Sequence, residues 1–307
     1  MENKCDILIV GSGIAGITAA IYSLRADKKT VIVDSNIPGG KINPAMKIEN
    51  YPGIKEISGT DLCQTLVEQL KENGGSITRD KIVKINPITK EAFGLHGSYK
   101  ANAIILATGT KDKIPDVKDC ERYIGRGLSF CAMCDGALHR GKDVCVIGGG
   151  NTALSDALYL ADICRSVYLV HRRDTFRAEK VLVDRAMTHP NIKVFKNAVV
   201  TQLCGEINID GADISVSGKS VHLNVSAVFS AIGYVPENEL YLPYVETDEN
   251  GFACVGESCK TLIDGLFIAG DCRRKKVRQL TTAAADGANA AQSAGDYIQN
   301  CPSDSRL

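Results

Sequence analysis

Neither sign of charge prevails in this 307-residue sequence. Its 36 Lys and Arg face 36 Asp and Glu, a formal net charge of zero. No overall field therefore favours nucleic acid or an anionic membrane as a partner. The clusters at Arg172–Arg173 and Arg273–Lys276 need local explanations. Long apolar runs are missing as well: none approaches the roughly 18 residues of a membrane span. The opening MENKCDILIVGSG enters a strand-like run almost at once, so no signal peptide is expected. The spacing of a disulfide framework is also absent. Twelve cysteines are scattered mostly singly, at Cys5, Cys63, Cys145, Cys164 and Cys204 among others, and read as small buried hydrophobes. These absences point to a soluble, cytoplasmic protein whose thiols stay reduced. With 44% hydrophobic and 23% charged residues, the composition is that of an ordinary globular chain, long enough for about two domains. One close cysteine pair, Cys131-Ala-Met-Cys134, interrupts the scatter.

What is present is two nucleotide-binding patterns. Cys5 to Val10 is an apolar run ending in Gly11-Ser-Gly13-Ile-Ala-Gly16, followed by a helical pattern through Leu24 and a second run, Thr30–Val33, that ends in Asp34. In such a βαβ unit the first glycine permits the tight turn, the second lets the backbone approach a pyrophosphate, and the third lets helix and strand pack closely. The helix N-terminus meets the phosphates with its positive dipole end. An acid about 20 residues further on accepts hydrogen bonds from a ribose, the place Asp34 takes.

The pattern recurs at Asp143–Ile147, Gly148-Gly-Gly150-Asn-Thr-Ala153 and a helix through Ala161. The strand that follows, Val167–Val170, ends in His171-Arg172-Arg173, with Arg177 shortly after. A carboxylate suits a free 2′-hydroxyl, whereas guanidinium groups grip a 2′-phosphate. The first site is thus expected to hold an ADP moiety without 2′-phosphate, and the second to prefer NADPH to NADH. The alternative for the arginines is a solvated charged turn. A third segment, Gly265-Leu-Phe-Ile-Ala-Gly270-Asp271, reads as a strand ending in a Gly-Asp turn, and Asp271 there is placed to hold a ribityl chain or to serve as a plain turn aspartate.

Two thiols separated by two residues can close a small disulfide, one attacking while the other resolves. The attacking group must be a thiolate, which calls for a proton shuttle nearby. Asp135 is adjacent, and His139 is a weaker candidate. The alternative for Cys131 and Cys134 is half of a zinc site, for which Cys254 and Cys259 are the other available pair. No metal is expected.

The motif set GSGIAG, Ala107-Thr-Gly109, CAMCDG, GGGNTA, HRRDTFR, Ala231-Ile-Gly-Tyr-Val-Pro236, GLFIAGDC and RQLTTAAADG, in this order, resembles the low-molecular-weight, bacterial-type thioredoxin reductases over essentially the whole chain. The CxxC-D-G pair just before GGGNTA is its most specific part. The resemblance implies FAD on Gly11, Gly13, Gly16 and Asp34, with Asp271, Arg278 and Gln279 nearer the ribityl chain and flavin. It implies NADPH on Gly148, Gly150, Ala153, Arg172, Arg173 and Arg177. The cofactor-binding set it suggests also takes in Ala15, Gly40, Lys41, Asn50, Ala107, Thr108, Gly109, Asn151, Thr152, His171, Gly270 and Leu280. Cys134 would face the flavin, Cys131 would exchange with a thioredoxin-like protein, and Asp135 would supply the proton. A homodimer is implied too. The chain departs from the family pattern at Lys41, where Gln is usual, at Ser155, the first of a usual acidic pair, and at Cys272, where a small aliphatic residue is usual.

The fold expected is α/β: two Rossmann-like three-layer dinucleotide-binding domains, the NADPH domain inserted into the FAD domain. The boundaries read as 1–114 and 237–307 for the FAD domain and 115–236 for the insert, with hinges near Ile114–Pro115 and Pro236–Asn238. The rival functions are a flavin disulfide reductase with another donor (ferredoxin) or another carrier (glutaredoxin- or peroxiredoxin-linked), and a redox-inert nucleotide sensor.

Overall fold

In the computed structural model, residues 2–43, 45, 48 and 50–301 are described, and the side chains of Glu2 and Cys134 lie outside that description. The chain divides into two units, Met1–Lys111 with Val235–Leu307, and Asp112–Tyr234 inserted between them in sequence.

In the first unit, β-branched alternation builds a sheet buried on both faces. Parallel strands lie in the order Ile77–Arg79, Thr30–Asp34, Glu2–Val10, Ser98–Leu106, so the first and last in sequence meet at the centre. Val10 pairs with Val33 on one side and with Leu106 on the other. Ser98–Leu106 is long enough for two neighbours on its outer edge. The antiparallel Glu91–Gly94 flanks its start, and the parallel Leu266–Ile268 flanks its end. Ile7, Ile9, Ile105 and Phe267 point to one face and pack on helices Ile14–Arg25, Gly59–Glu72 and Leu280–Asn300. Leu8, Val10, Ile104 and Ile268 point to the other and pack with Ala92, Tyr99 and Tyr241. The Ala/Gly-rich composition of Leu280–Asn300 has a steric reason. A Cβ at Gly287 would stand 2.2 Å from the Ala15 carbonyl oxygen, so only small residues let these two helices touch.

The second unit repeats the parallel strand order: Ile192–Lys196, Ser166–His171, Asp143–Gly148, Ala227–Ala231, then Leu128–Ser129. Val144, Val146, Val167, Leu169 and Phe229 face helices Asn151–Ile163 and Lys180–Thr188. The opposite face, with Cys145, Val170 and Val228, is covered by the antiparallel meander Ala198–Cys204, Gly211–Val216 and Lys219–Leu223. Its third layer is therefore β-structure, with helices on one side only. Both sheets have the Rossmann-type arrangement, with the topological switch between the first strand and the strand added after the third. Among the described residues, no helix is long and apolar enough to cross a membrane.

Candidate dinucleotide loops and redox pair

The first glycine loop leaves the sheet at this switch point. Gly11 has φ +104°, and a Cβ there would stand 2.3 Å from the Ala107 carbonyl oxygen, at the end of the neighbouring strand. Gly16 is equally constrained, its absent Cβ 1.8 Å from the Gly11 carbonyl oxygen. Gly13, the N-cap of helix Ile14–Arg25, differs: a Cβ there would meet nothing within 4 Å. The first-turn N–H groups of a helix have no intrahelical partner, so this open mouth suits a phosphate group. Asp34 ends the second strand, and its Oδ2 accepts the Ser12 N–H at 2.6 Å and the Ser12 hydroxyl at 2.7 Å. Sequence reasoning passed over Ser12, which is fully buried and fixes the carboxylate. The loop before Gly40 docks here as well, with the Gly39 N–H donating to the Ser12 carbonyl at 2.8 Å. A Cβ on Gly40 would lie 3.8 Å from the Gly13 Cα. Lys41 is exposed beside it.

The second loop uses the same backbone device. Gly148 has φ +150°, and a Cβ there would stand 2.4 Å from the Ala231 carbonyl oxygen, again at the neighbouring strand end. Gly150 is the N-cap of Asn151–Ile163 and has nothing within 4 Å of its absent Cβ. Ala153 is fully buried, while Asn151 and Thr152 are exposed. His171 ends the second strand but turns inward. It is buried, its Nε2 lies 2.9 Å from the Thr175 carbonyl oxygen, and its ring stacks on Phe176 at 4.9 Å. A Cβ on Gly149 would run into that ring at 2.1 Å. Arg172, Arg173 and Arg177 are exposed, and no described residue pairs with their guanidinium groups. The segment carrying them is tied down by the Arg177 N–H, which donates to the Gly149 carbonyl at 2.8 Å, and by a reciprocal pair between Asn151 and Glu179 at 3.0 and 2.8 Å. Asn151 thus acts on the arginine segment.

Cys131 is disulfide-bonded, and ten of the twelve cysteines are free thiols. Burial pushes the thiols of Cys5, Cys145 and Cys259 up to about 12, which keeps them protonated and unreactive. Cys131 opens a one-turn helix, Ala132–Asp135. The backbone of Cys134 lies within it, and the role expected of its side chain falls outside the described residues. The half-buried Asp135 accepts the Ser129 hydroxyl at 2.6 Å. His139 is engaged elsewhere, its Nδ1 3.0 Å from Ser226 Oγ and its ring edge-on to Phe229. Burial also lowers its pKa.

The Gly-Asp turn at Gly270 brings a further group to the first unit's strand ends. Asp271 Oδ1 is buried and has no hydrogen-bond partner among the described residues; Lys275 Nζ stands 3.1 Å from it as an ion pair. That oxygen keeps its capacity for a ligand hydroxyl. The basic cluster Arg273–Lys276 finds its local explanation in Asp286, which sequence reasoning missed. Asp286 is 2% exposed and takes Arg273 at 2.6 and 2.8 Å and Lys275 at 3.0 Å. Arg278 lies over the Phe252 ring at 3.9 Å and donates to the Asp271 carbonyl at 3.2 Å. Gln279 caps the helix that begins at Leu280 and accepts from Asn50 Nδ2 at 3.1 Å, joining two expected residues far apart in sequence. Thr108 donates to the Glu237 carbonyl at 2.6 Å, and the Glu237 N–H donates to the Gly109 carbonyl at 3.1 Å. Cys272 acquires a role as well: fully buried, it fills the core beneath the turn, its Sγ 3.2 Å from the Ala269 carbonyl oxygen.

Comparison with known proteins matches residues 5–287 to the family described as pyridine nucleotide-disulphide oxidoreductase. The thioredoxin reductase of Peptoclostridium acidaminophilum is 35% identical over 310 residues, covering 97% of this chain and 98% of that protein. The solved thioredoxin reductase of Lactococcus lactis, in its FR conformation, superposes with a TM-score of 0.89 at 33% identity, covering 97% of this chain and all of that one. A ferredoxin-flavin thioredoxin reductase of Clostridium acetobutylicum is more distant, with a TM-score of 0.55 at 27% identity over 98% of this chain and all of its own.

Proposed function

The chain belongs to the pyridine nucleotide-disulphide oxidoreductase family, and we propose that it is a flavoprotein thioredoxin-disulphide reductase, passing electrons from NADPH via FAD and the Cys131/Cys134 pair to a thioredoxin-like protein. One observation carries this reading. A disulfide at Cys131, among ten free thiols, lies in the same unit as the arginine-flanked loop.

FAD fits the first unit: the open mouth at Gly13 admits a pyrophosphate, Asp34 is held ready for ribose hydroxyls, and Asp271 Oδ1 has an acceptor to offer the ribityl chain. NADPH fits the second: Gly150 gives the same open mouth, and Arg172, Arg173 and Arg177, unpaired among the described residues, suit a 2′-phosphate. When bound, the flavin supplies two-electron chemistry that no side chain here offers. The protein's own residues then do three things. Ser12 and Gly39 hold the first loop in shape, Asn151 and Glu179 hold the arginine segment, and Asp135, held by the Ser129 hydroxyl, stands beside the pair. The net reaction consumes NADPH, one proton and a disulfide, and yields NADP⁺ and two thiols. A ferredoxin-fed enzyme would have no use for three arginines beside a second dinucleotide loop. Ten free cysteines suit a reducing, cytoplasmic compartment. The assembly we propose is a homodimer.

The test is NADPH oxidation by the yellow, flavin-loaded protein in the presence of oxidised thioredoxin. Stoichiometric thiol production is expected. Cys131→Ser and Cys134→Ser are each expected to abolish it while NADPH still bleaches the flavin. Disulfide turnover retained in either variant would move the chemistry to another cysteine.

A further inference from the structure

One buried hydroxyl joins the two ends of the redox segment. Ser129 Oγ accepts the Cys131 N–H at 3.1 Å and donates to Asp135 Oδ2 at 2.6 Å, with a longer approach of 3.3 Å to the Cys131 carbonyl oxygen. The residue is 8% exposed. Asp135 needs such a partner. It ends a helix of one turn, whose own hold is the Asp135 N–H donating to the Cys131 carbonyl at 3.2 Å. A single helical turn is intrinsically unstable, and an aspartate side chain left to itself samples several rotamers. Ser129 is anchored where Asp135 is not: it stands in register opposite Phe229 in the parallel sheet, in the strand pair next to Ala227–Ala231. The sheet therefore sets the position of the hydroxyl, and the hydroxyl sets the position of the carboxyl group.

We propose that Ser129 is the positioning residue of the disulfide exchange, holding Asp135 so that its other oxygen, Oδ1, carries the proton delivered to the departing sulfur. This rests on the thioredoxin-disulphide reductase reading. The exchange balances as follows. The Cys131 thiolate attacks the partner's disulfide; a Cys131–partner S–S bond forms, the partner's own bond breaks, and the released thiolate takes the Asp135 proton. Cys134 then displaces the second partner sulfur, the Cys131–Cys134 bond re-forms, and the Cys134 proton ends on that sulfur. The pair loses two electrons and the partner gains two electrons and two protons. A hydrogen bond to Oδ2 leaves one oxygen for that transfer and fixes its direction, which is what effective proton delivery in exchange requires.

The experiment is single-turnover exchange between the pre-reduced, flavin-loaded protein and oxidised thioredoxin, without NADPH, for wild type, Ser129→Ala, Asp135→Asn and the double variant. Ser129→Ala is expected to slow the exchange roughly ten- to hundredfold, with thioredoxin affinity and the rate of flavin reduction by NADPH unchanged. The double variant is expected to be no slower than Asp135→Asn alone, since Ser129 acts through that carboxyl group. An active wild type with an equally fast Ser129→Ala variant overturns the proposal, as does a double variant showing the product of the two single losses. A wild type that cannot reduce thioredoxin at all defeats the functional reading instead.

Discussion

Gly11 and Gly148 close the same turn by the same means, each backed against the carbonyl oxygen that ends the neighbouring strand, at 2.3 and 2.4 Å from the absent Cβ. Gly13 and Gly150 open the same kind of mouth at a helix N-terminus. The two units part company one residue later in each element. In the first, Ser12 holds the strand-end Asp34 facing the loop. In the second, Gly149 stands in the place of Ser12 and His171 in that of Asp34, and the imidazole fills the space that glycine leaves. The polar chemistry moves outward onto Arg172, Arg173 and Arg177. On the proposed reading, the shared backbone geometry binds what all dinucleotides share, and the residues after the second strand decide which dinucleotide is bound. The helices differ too: Asp156 stands where the first unit has the fully buried Ala19.

The largest expected effects come from the shared device. Gly11→Ala and Gly148→Ala each combine a backbone clash with a positive φ, a cost on the order of 4 kcal/mol or more. Gly148→Ala should purify with its flavin and fail to bind NADPH, and Gly11→Ala should lose flavin. Flavin loss from Gly148→Ala, with NADPH binding kept, would reverse the assignment of the two loops. Next in size is Gly149→Ala, which overpacks the site against His171 and should cost about 1–3 kcal/mol. In the double variant with His171→Ala that clash disappears, so urea unfolding should show less destabilisation than the two single changes summed, by about 1 kcal/mol. Strict additivity would mean that His171 does not occupy the space beside Gly149.

The smallest effect is read from pH. Burial pushes the Asp156 carboxyl group up to about 7. The folded chain then holds a proton that the unfolded chain releases near 3.8, so this group's contribution to stability falls as pH rises from about 4 through 7. Asp156→Asn should match wild type near pH 4 and exceed it by about 1–2 kcal/mol near pH 8, allowing for partial exposure of the group. An unchanged difference across that range would show that the carboxyl group is not held in a desolvated site.

The glycine turns, the strands before them and Asp34 were legible in the sequence because each signal is local: periodicity, a turn residue, a fixed offset. Ser12, Ser129 and Asp286 were not, because each matters only through a partner that the fold delivers, Asp34, Asp135 and Arg273 respectively. His171 sits inside a motif expected to hold a nucleotide, and nothing in its neighbours told that its ring turns inward under Gly149. The antiparallel meander covering the second sheet went unread for a similar reason: its short strands carry no motif, and their pairing is set by the apolar face of the sheet they cover. Cys272 looked like an unexplained departure because core packing leaves no sequence mark beyond size and polarity.

The division of labour between the loops is tested most directly by kcat/KM for NADPH and NADH in the Arg172→Ala/Arg173→Ala variant. Charged contacts to a 2′-phosphate are worth about 1.5–3 kcal/mol, so the NADPH value should fall roughly ten- to hundredfold while the NADH value stays nearly unchanged. An equal fall with both cofactors would contradict the claim that these arginines read the 2′-phosphate.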